Sequence, residues 1–175
     1  MVSNKKQKIL FSVEDINKRV KELGKQISKD YQGKELVVVS LLRGSFIFAA
    51  DLVREIDVLT QIEFMTTASY GHSEESSGQV NIINDIKDDI EGKDVLVVDD
   101  IMDTGLTMEK ILEHLKKKNP RSIKSCVMLD KPERRKTNIT PDYVGFTIPD
   151  LFIVGYGLNY GDYYRNIPYI FSFVD

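Results

Sequence analysis

Val95-Leu-Val-Val-Asp-Asp-Ile-Met-Asp-Thr-Gly-Leu-Thr-Met108 is the stretch that decides the fold of this chain. Together with Asp94 it begins as a continuous apolar run and ends in two adjacent carboxylates, Asp99 and Asp100. An unbroken apolar run is typical of a strand buried on both faces of a parallel sheet. Ligands of open α/β sheets bind outside the carboxyl ends of the strands. We therefore predict a strand from Asp94 to Asp100 that delivers both carboxylates to a binding site.

The residues after this strand predict a phosphate site. Asp103-Thr104-Gly105-Leu106-Thr107 turns into the N-terminus of a helix. Free amides, two hydroxyls and the positive end of the helix dipole meet there and suit a phosphate. Gly105 lets the backbone approach a ligand closely. Paired carboxylates beside such a turn suit sugar hydroxyls or a bridging metal ion, and a phosphorylated sugar with Mg²⁺ meets both descriptions.

A buried strand that ends in a polar helix cap is the simpler explanation of the same motif. It accounts for the threonines and for one aspartate. It leaves unexplained why three carboxylates, Asp99, Asp100 and Asp103, fall so close together. Like charges at such short range are costly unless a cation joins them, and the motif therefore favours a binding site.

The flanking segments predict an α/β core. Ser12-x-x-Asp15 has the spacing of a capping box and opens an amphipathic helix. Apolar, β-branched runs predict further strands, and they are separated by helical patterns, as in a mostly parallel sheet. The predicted strands are Glu35 to Leu42, Gln61 to Thr67 and Ile123 to Leu129, and a buried helix is predicted from Phe46 to Ile56.

Two segments depart from this alternation. Ser69 to Gln79 is polar, rich in Gly and Ser, and without periodicity, which predicts a long functional loop. After Lys131 the pattern changes to short strands with many aromatic residues. We therefore predict one domain over residues 1–175, with a core at about 33–130 and a small hood from about 1–12 and 131–175.

Composition narrows the classes of function. Hydrophobic residues make up 42% of the 175 residues, enough for a core at this length. The net charge of -3 argues against a nucleic-acid partner, because a phosphate backbone needs a basic face. Cys126 is the single cysteine, and the opening residues contain no long apolar stretch. No signal peptide or membrane anchor is expected, and a cytoplasmic location is the default expectation.

The segment from Asp99 to Met108 resembles the phosphoribosyl pyrophosphate signature of the type I phosphoribosyltransferases. Beyond that motif, nearly the whole chain resembles their hypoxanthine (or hypoxanthine-guanine) branch. The resemblance implies that family's fold, a mostly parallel sheet flanked by helices with a small hood. It also implies a Mg²⁺-dependent enzyme that joins an oxopurine to phosphoribosyl pyrophosphate, working as a homodimer or homotetramer.

The resemblance assigns roles to the central motif. Asp99 and Asp100 match the acidic pair that serves the ribose hydroxyls and the bound magnesium. Asp103 matches the general base, or hydrogen-bond partner, of the purine imidazole ring. The stretch that wraps the 5′-phosphate is matched by Asp103, Thr104, Gly105, Leu106 and Thr107.

Three further segments match the family more weakly. Leu42-Arg43-Gly44 resembles the short pyrophosphate loop, which often contains a non-proline cis peptide. Taken alone it would be an ordinary strand-to-helix turn, but the presence of the central motif favours the pyrophosphate loop. Ser69-Tyr70 matches the pair that opens the family's mobile lid. Arg165 matches an arginine near the pyrophosphate, where a planar guanidinium fits phosphate oxygens.

The purine side of the site follows from the same resemblance. Lys131 matches the lysine that contacts the exocyclic oxygen of hypoxanthine or guanine. An ammonium can only donate, and adenine presents a donor at that position, so this lysine favours oxopurines. Phe152 would stack on the base and the backbone of Ile153 would bond its edge. Without the family match, Phe152 would equally well be a core aromatic residue.

One position departs from the family pattern. Asn159 lies where the family usually has an aspartate that is associated with a second magnesium ion and with base recognition. An asparagine keeps an oxygen ligand and loses the charge. The preference between hypoxanthine and guanine, and the affinity for a second metal, therefore stay open.

Three other classes of protein share parts of this pattern. A signalling receiver domain also contains VLVVDD, but its acidic pair lies on the first strand, whereas here the pair lies past mid-chain. A regulatory protein on the same fold would bind nucleotide or RNA without turnover, and the presence of Asp103, Lys131 and Arg165 favours an enzyme instead. A related enzyme could act on xanthine or on 6-oxopyrimidines. The Lys131 and Phe152 segments favour oxopurines, which leaves xanthine as an open alternative.

Overall fold

The computed structural model of the chain describes residues 6–69 and 80–174, and Ser69 by its backbone alone. Nine strands, three α-helices and one 3₁₀ turn are described in this part of the chain. In chain order they are β1 (Lys6–Phe11), α1 (Val13–Asp30), β2 (Leu36–Leu42), α2 (Phe46–Arg54), β3 (Thr60–Ser69), β4 (Val80–Asn84), β5 (Asp94–Met102), α3 (Leu106–Lys116), β6 (Ser122–Asp130), the 3₁₀ turn (Pro132–Arg134), β7 (Tyr143–Thr147), β8 (Ile153–Val154) and β9 (Ile170–Val174).

A six-stranded sheet in the order β4-β3-β2-β5-β6-β7 forms the centre of the molecule. All neighbouring pairs are parallel except β3 and β4, which run antiparallel at one edge. The predicted α/β class with a mostly parallel sheet is thereby confirmed. A second, three-stranded antiparallel sheet, β1-β9-β8, forms the hood from both ends of the described chain.

Helices cover both faces of the central sheet, which explains why its strands read as unbroken apolar runs. Val38, Leu96 and Cys126 face the cluster that contains the buried sides of α1 and α2. Val37, Val95 and Val127 face the opposite cluster, which contains the buried side of α3. Alternate residues of each strand are therefore buried by different helices.

The first helix begins at the predicted capping box. The Ser12 hydroxyl accepts from the Asp15 amide at 3.1 Å, and the Asp15 carboxylate accepts from the Ser12 amide at 2.9 Å. Two amides that have no partner within the helix are satisfied in this way. Along α1, Ile16, Val20 and Leu23 then point into the core at helical spacing. No described helix is both long enough and apolar enough to cross a membrane.

The structure adjusts three predicted boundaries. Strand β5 continues two residues beyond Asp100, because β6 runs beside it until Met102 pairs with Asp130. Strand β7 lies in the range predicted for the hood, yet it pairs in parallel with β6 in the central sheet. The core therefore extends to Thr147, and α1 belongs to it as well. We keep the proposal of one domain, because Ile153 and Ile170 of the hood pack into the same cluster as α1.

Candidate functional site

The carboxylate pair lies where the central sheet opens. Strand β2 pairs with β5 only as far as Ser40 and Val98, whereas β5 continues along β6. Helix α2 follows β2 on one face and α3 follows β5 on the other. Crevices at such topological switch points are the usual ligand sites of open α/β sheets. Asp99 and Asp100 line this crevice.

The turn after β2 forms the other wall of the crevice. The Leu42–Arg43 peptide bond is cis, as the resemblance predicts for the pyrophosphate loop. A Cβ atom at Gly44 would collide with the Asp100 carboxylate, so a larger residue there would displace this carboxylate. The Arg43 side chain is exposed to solvent. Gly44 of the loop therefore lies directly against the Asp100 side chain.

Two buried serines, which the sequence analysis did not single out, hold this turn. The Ser40 and Ser45 hydroxyls lie 2.7 Å apart, and Ser45 donates to the Leu41 carbonyl at 2.6 Å. Both side chains are fully buried. Ser40 could have been identified from the sequence, because it is the one polar residue of an otherwise apolar strand and a buried hydroxyl needs a hydrogen-bond partner.

Burial and mutual repulsion act on the acidic pair. The pKa of Asp99 is raised well above its usual range, first by burial and then by the neighbouring Asp100 charge. Burial also raises the pKa of Asp100, while the Arg165 charge acts in the opposite direction. The Asp100 amide donates to the Asp99 carboxylate at 2.9 Å. Carboxylates in this situation are stabilised by a cation brought close to them.

The donor set of the crevice fits Mg²⁺ held together with a substrate. No group of three or more His, Cys, Asp or Glu side chains that could hold a metal ion occurs in residues 6–69 and 80–174. Mg²⁺ in phosphate-binding sites is usually held by one or two carboxylates, with substrate oxygens and waters completing the octahedron. A pair of carboxylates beside a phosphate turn matches that pattern.

The predicted phosphate turn leads directly into α3. Gly105 is the N-cap residue, with φ +85°, and α3 begins at Leu106. A depression of about 100 Å³ lies here, bordered by Asp99, Asp103, Thr104 and Thr107 among others. The amides of the first helical turn have no intrahelical partners, so they are available to an anion. Three predicted features, the acidic strand, the turn and the helix start, thus line one depression.

Residues 135–137, which follow the 3₁₀ turn and are called the strap below, support the phosphate turn. They were not predicted from the sequence. The Lys136 amide donates to the Thr104 carbonyl at 2.8 Å, and Arg135 Nε donates to the Asp103 carbonyl at 3.3 Å. The Thr137 hydroxyl is buried beside Gly105 and has no hydrogen-bond partner among the described residues. An unpaired buried hydroxyl beside a phosphate turn fits an anionic oxygen. No local pattern in the sequence signals these long-range contacts.

Strand register places Lys131 next to the phosphate turn. The Lys131 amide donates to the Met102 carbonyl at 2.9 Å, so Lys131 and Asp103 leave neighbouring strands at the same level. The Lys131 side chain is 8% exposed, and its ammonium lies 3.6 Å from Asp150. A buried ammonium of this kind needs an acceptor close by.

The aromatic residue predicted to stack on a purine is open to a ligand. Phe152 is 59% exposed, which excludes the alternative that it is a core residue. Its ring meets Tyr160 edge to face at 5.7 Å, and both border a cavity of about 410 Å³ against the hood sheet. Ile153 lies in β8, an edge strand of that sheet, so one side of its backbone is left for a ligand.

Arg165 reaches the crevice through a glycine turn. Its guanidinium donates to the Gly157 carbonyl at 2.6 Å. A Cβ atom at Gly157, which has φ +99°, would collide with the Gly44 carbonyl. Asn159 lies in the same loop but is exposed, and its amide donates to the Gly161 carbonyl at 2.6 Å. The described contacts do not join Asn159 to the acidic pair.

The structure leaves the predicted lid largely outside its description. Tyr70 and the rest of the segment up to Gln79 fall outside the described residues. Ser69 is the last residue of β3, where its backbone pairs with Val80. The assignment of Ser69 and Tyr70 to a lid therefore stays a prediction.

Another cavity lies at the opposite end of the sheet. A cavity of about 630 Å³ lies at the amino ends of the strands, lined by Leu36, Thr60, Lys93 and Arg121 among others. None of the predicted site residues borders it. In open α/β sheets the carboxyl ends of the strands are the binding edge, and Asp99 and Asp100 lie near that end of β5.

The comparison with known protein families agrees with this site. Residues 7–161 match the model of the phosphoribosyl transferase domain. The chain belongs to the phosphoribosyltransferase family.

Its relatives place it more narrowly, beside enzymes named for hypoxanthine. It is 52% identical over 175 residues to the hypoxanthine-guanine phosphoribosyltransferase of Aquifex aeolicus (strain VF5), covering 99% of this chain and 98% of that protein. It is 46% identical over 164 residues to the hypoxanthine phosphoribosyltransferase of Escherichia coli (strain K12), covering 93% and 92%. A crystal structure of a hypoxanthine-guanine phosphoribosyltransferase from Bacillus anthracis superposes with a TM-score of 0.93 at 47% identity, covering 98% of this chain and 100% of that one.

Proposed function

We propose that this protein transfers the 5-phosphoribosyl group from phosphoribosyl pyrophosphate to hypoxanthine or guanine. The products would be IMP or GMP and pyrophosphate, a purine salvage reaction. Relatives at about half identity over nearly the whole chain are named for this activity. The family and the fold agree with it.

The placement of Lys131 beside Asp103 is the observation that carries the proposal. Lys131 follows β6 beside the end of β5, and its buried ammonium lies 3.6 Å from Asp150. An ammonium there donates to an oxopurine oxygen and leaves the amino group of adenine without an acceptor. The exposed ring of Phe152 offers a stacking surface for the same base.

The proposed reaction is a substitution at the anomeric carbon of the ribose. The bond from that carbon to the pyrophosphate oxygen breaks, and a bond to the purine nitrogen forms. Asp103 accepts the proton that the purine ring loses, a role that typically contributes about 10²- to 10⁴-fold. Arg43 belongs to the turn whose Gly44 lies against Asp100, and the charge of Arg165 acts on Asp100. The two guanidinium charges would favour the departing anion.

Mg²⁺ is the cofactor that we propose, with Asp99 and Asp100 as the residues that hold it. When bound, the ion neutralises phosphate charge and fixes the donor in the crevice. The protein would contribute the 5′-phosphate cradle of Asp103 to Thr107, which orients the donor for the incoming base.

The proposal is tested by offering four bases with phosphoribosyl pyrophosphate and Mg²⁺ and following nucleotide formation. Hypoxanthine or guanine should react rapidly, and adenine should be inert because Lys131 has nothing to donate to. Equal rates with adenine would contradict the role of Lys131. Xanthine is the informative fourth base, because it shares the same exocyclic oxygen. No product from any base would favour a regulator that binds nucleotide without turnover.

We also propose a homodimer or homotetramer. Ile62 and Phe64 lie on the same face of β3 and are 44% and 51% exposed. Exposed apolar side chains grouped in this way often mark a surface that another chain covers. Light scattering of the purified protein should give two or four times the mass of the chain, and a monomer mass would contradict the proposal.

A cytoplasmic location remains our proposal, and the free, buried thiol of Cys126 is compatible with it.

A further inference from the structure

Four charged side chains of alternating sign connect the phosphate turn to the purine-reading lysine. Arg134 Nε lies 2.9 Å from Asp103 Oδ1, and Arg134 Nη1 lies 3.3 Å from Asp150 Oδ2. The other oxygen of Asp150, Oδ1, lies 3.6 Å from Lys131 Nζ. Asp103 and Lys131 are the residues to which the proposed function gives proton transfer and base recognition. Arg134 and Asp150 have no role in it so far.

The 3₁₀ turn explains how two cations come to share one carboxylate. Residues three apart eclipse one another in a 3₁₀ helix, and Lys131 and Arg134 are three apart, with the Arg134 amide donating to the Lys131 carbonyl at 3.2 Å. Both side chains therefore leave the turn in the same direction. Asp150, at the approach to β8, lies opposite them.

The two oxygens of Asp103 have different surroundings. Oδ1 is buried and has no hydrogen-bond partner among the described residues, so Arg134 holds it by charge at short range. The whole side chain is nevertheless 41% exposed. The oxygen that can face a ligand is therefore Oδ2. A carboxylate fixed through one oxygen presents the other in a defined direction, as the third member of a catalytic triad orients its base.

We propose that Arg134 is a positioning residue that aims Asp103 Oδ2 at the purine, and that Asp150 holds Arg134 and Lys131 in register. This inference rests on the proposed function and deepens it. The proton acceptor and the base-reading ammonium are then set by one connected group, so both contact the same purine at once. Asp150 also balances the charge, because without it the group would contain two cations and only the carboxylate of Asp103.

Arg134→Gln tests the inference, with Arg54→Gln as the matched control. Arg54 also forms an Arg–Asp ion pair, with Asp51 on α2, at the far end of that helix from the crevice. Loss of Arg134 should lower kcat with hypoxanthine by about fivefold, the upper end for partly exposed ion pairs. The KM for phosphoribosyl pyrophosphate should stay within about twofold of wild type, because Arg134 pairs with the Asp103 side chain and not with the backbone amides of the phosphate turn. Arg134→Lys should recover part of the loss.

A double-mutant cycle with Asp103→Asn separates positioning from a general structural effect. If Arg134 acts through Asp103, Arg134→Gln should have almost no further effect on kcat in the Asp103→Asn protein. Additive losses, an increase in kcat, or a rate for Arg134→Gln equal to that of Arg54→Gln would each overturn the inference while leaving the proposed function intact. A wild-type protein that makes no nucleotide would overturn both.

Discussion

Asp103 combines high accessibility with a central place in the proposed chemistry. Its side chain is 41% exposed, and its carboxylate forms an ion pair with Arg134 at 2.9 Å. We expect Asp103→Asn to lower kcat by about 10²- to 10⁴-fold, because an amide cannot take a proton from the purine. The midpoint of thermal unfolding should change little, since the site is near the surface. Steady-state kinetics and a thermal melt check both parts, and turnover near wild type would exclude Asp103 as the base.

Asn159 is the residue at which the chain departs from the family pattern. In the structure its amide nitrogen donates to the Gly161 carbonyl. We expect Asn159→Asp to restore a negative oxygen ligand, and therefore to lower the Mg²⁺ concentration at half-maximal rate several-fold. A Mg²⁺ titration at fixed substrate measures this. Asn17→Asp, on the exposed side of α1, is the control for added charge, and an unchanged titration would rule out a metal role at position 159.

Site residues differ in how far the sequence alone identifies them. Asp99, Asp103 and Gly105 are readable because strand, carboxylates and helix cap follow one another directly in the chain. Thr137 and Gly157 were not identified, because their roles arise from contacts with loops about 30 and 110 residues away in sequence. Such contacts exist only once the strand order is known.

At the scale of elements, long apolar patterns were predicted well and short edge strands were not. The capping box of α1 and the run of β5 carry strong local signals, and both elements form where predicted. Strand β4 was missed, because an asparagine near each end of VNIIN lowers its strand propensity. The extension of β5 to Met102 depends on pairing with β6, which no property of β5 itself reveals.

The turn between β5 and α3 is the element most sensitive to a small substitution. Gly105 has φ +85°, and a Cβ atom there would collide with the Thr137 hydroxyl and lie 2.8 Å from Arg135 Cδ. We expect Gly105→Ala to lower the free energy of unfolding by about 1–3 kcal/mol through backbone strain. It should also raise the KM for phosphoribosyl pyrophosphate, because the strap must move away from the phosphate cradle.

Chemical denaturation and substrate titration measure the two effects of Gly105→Ala. Gly33→Ala is a control with a similar φ of +73° and no atom within 4 Å of the added methyl group. It should show the backbone strain without the change in KM. Equal KM values for the two variants would indicate that the strap does not shape the phosphate site.

At the scale of the whole molecule, the amino ends of the central strands contribute to stability, whereas the predicted binding residues lie towards their carboxyl ends. Asp94 is buried at the amino end of β5, where it pairs with Arg121 and accepts from the Ser122 hydroxyl. The Arg121 hydrogen bond is the largest cause that lowers the pKa of Asp94, and burial acts against it. No predicted site residue lies at the amino ends of the strands, so we assign the polar contacts there to stability of the fold.

Asp94 should make the free energy of unfolding depend on pH in the acidic range. Because its pKa is lower in the folded state, its contribution is present above the ordinary value of about 3.9 and is lost as pH falls through the folded pKa. We expect Asp94→Asn to cost about 1–3 kcal/mol at pH 7, with the difference from wild type shrinking below about pH 4. Denaturant melts across pH measure this. Asp57→Asn, an exposed carboxylate, is the control, and a difference that does not vary with pH would contradict the assignment.

The pairing of β1 with β9 means that the described chain almost closes on itself. Lys6 lies directly opposite Val174 in an antiparallel ladder, and the chain leaves β9 at the point where it enters β1. These strands form a β-hairpin that lacks its connecting turn. A short Asn-Gly linker from Val174 to Lys6 would supply that turn, and new ends could then be opened in an exposed loop elsewhere. In such a circularly permuted protein the new chain ends, and any tag fused to them, would lie away from the edge of β8 beside Phe152.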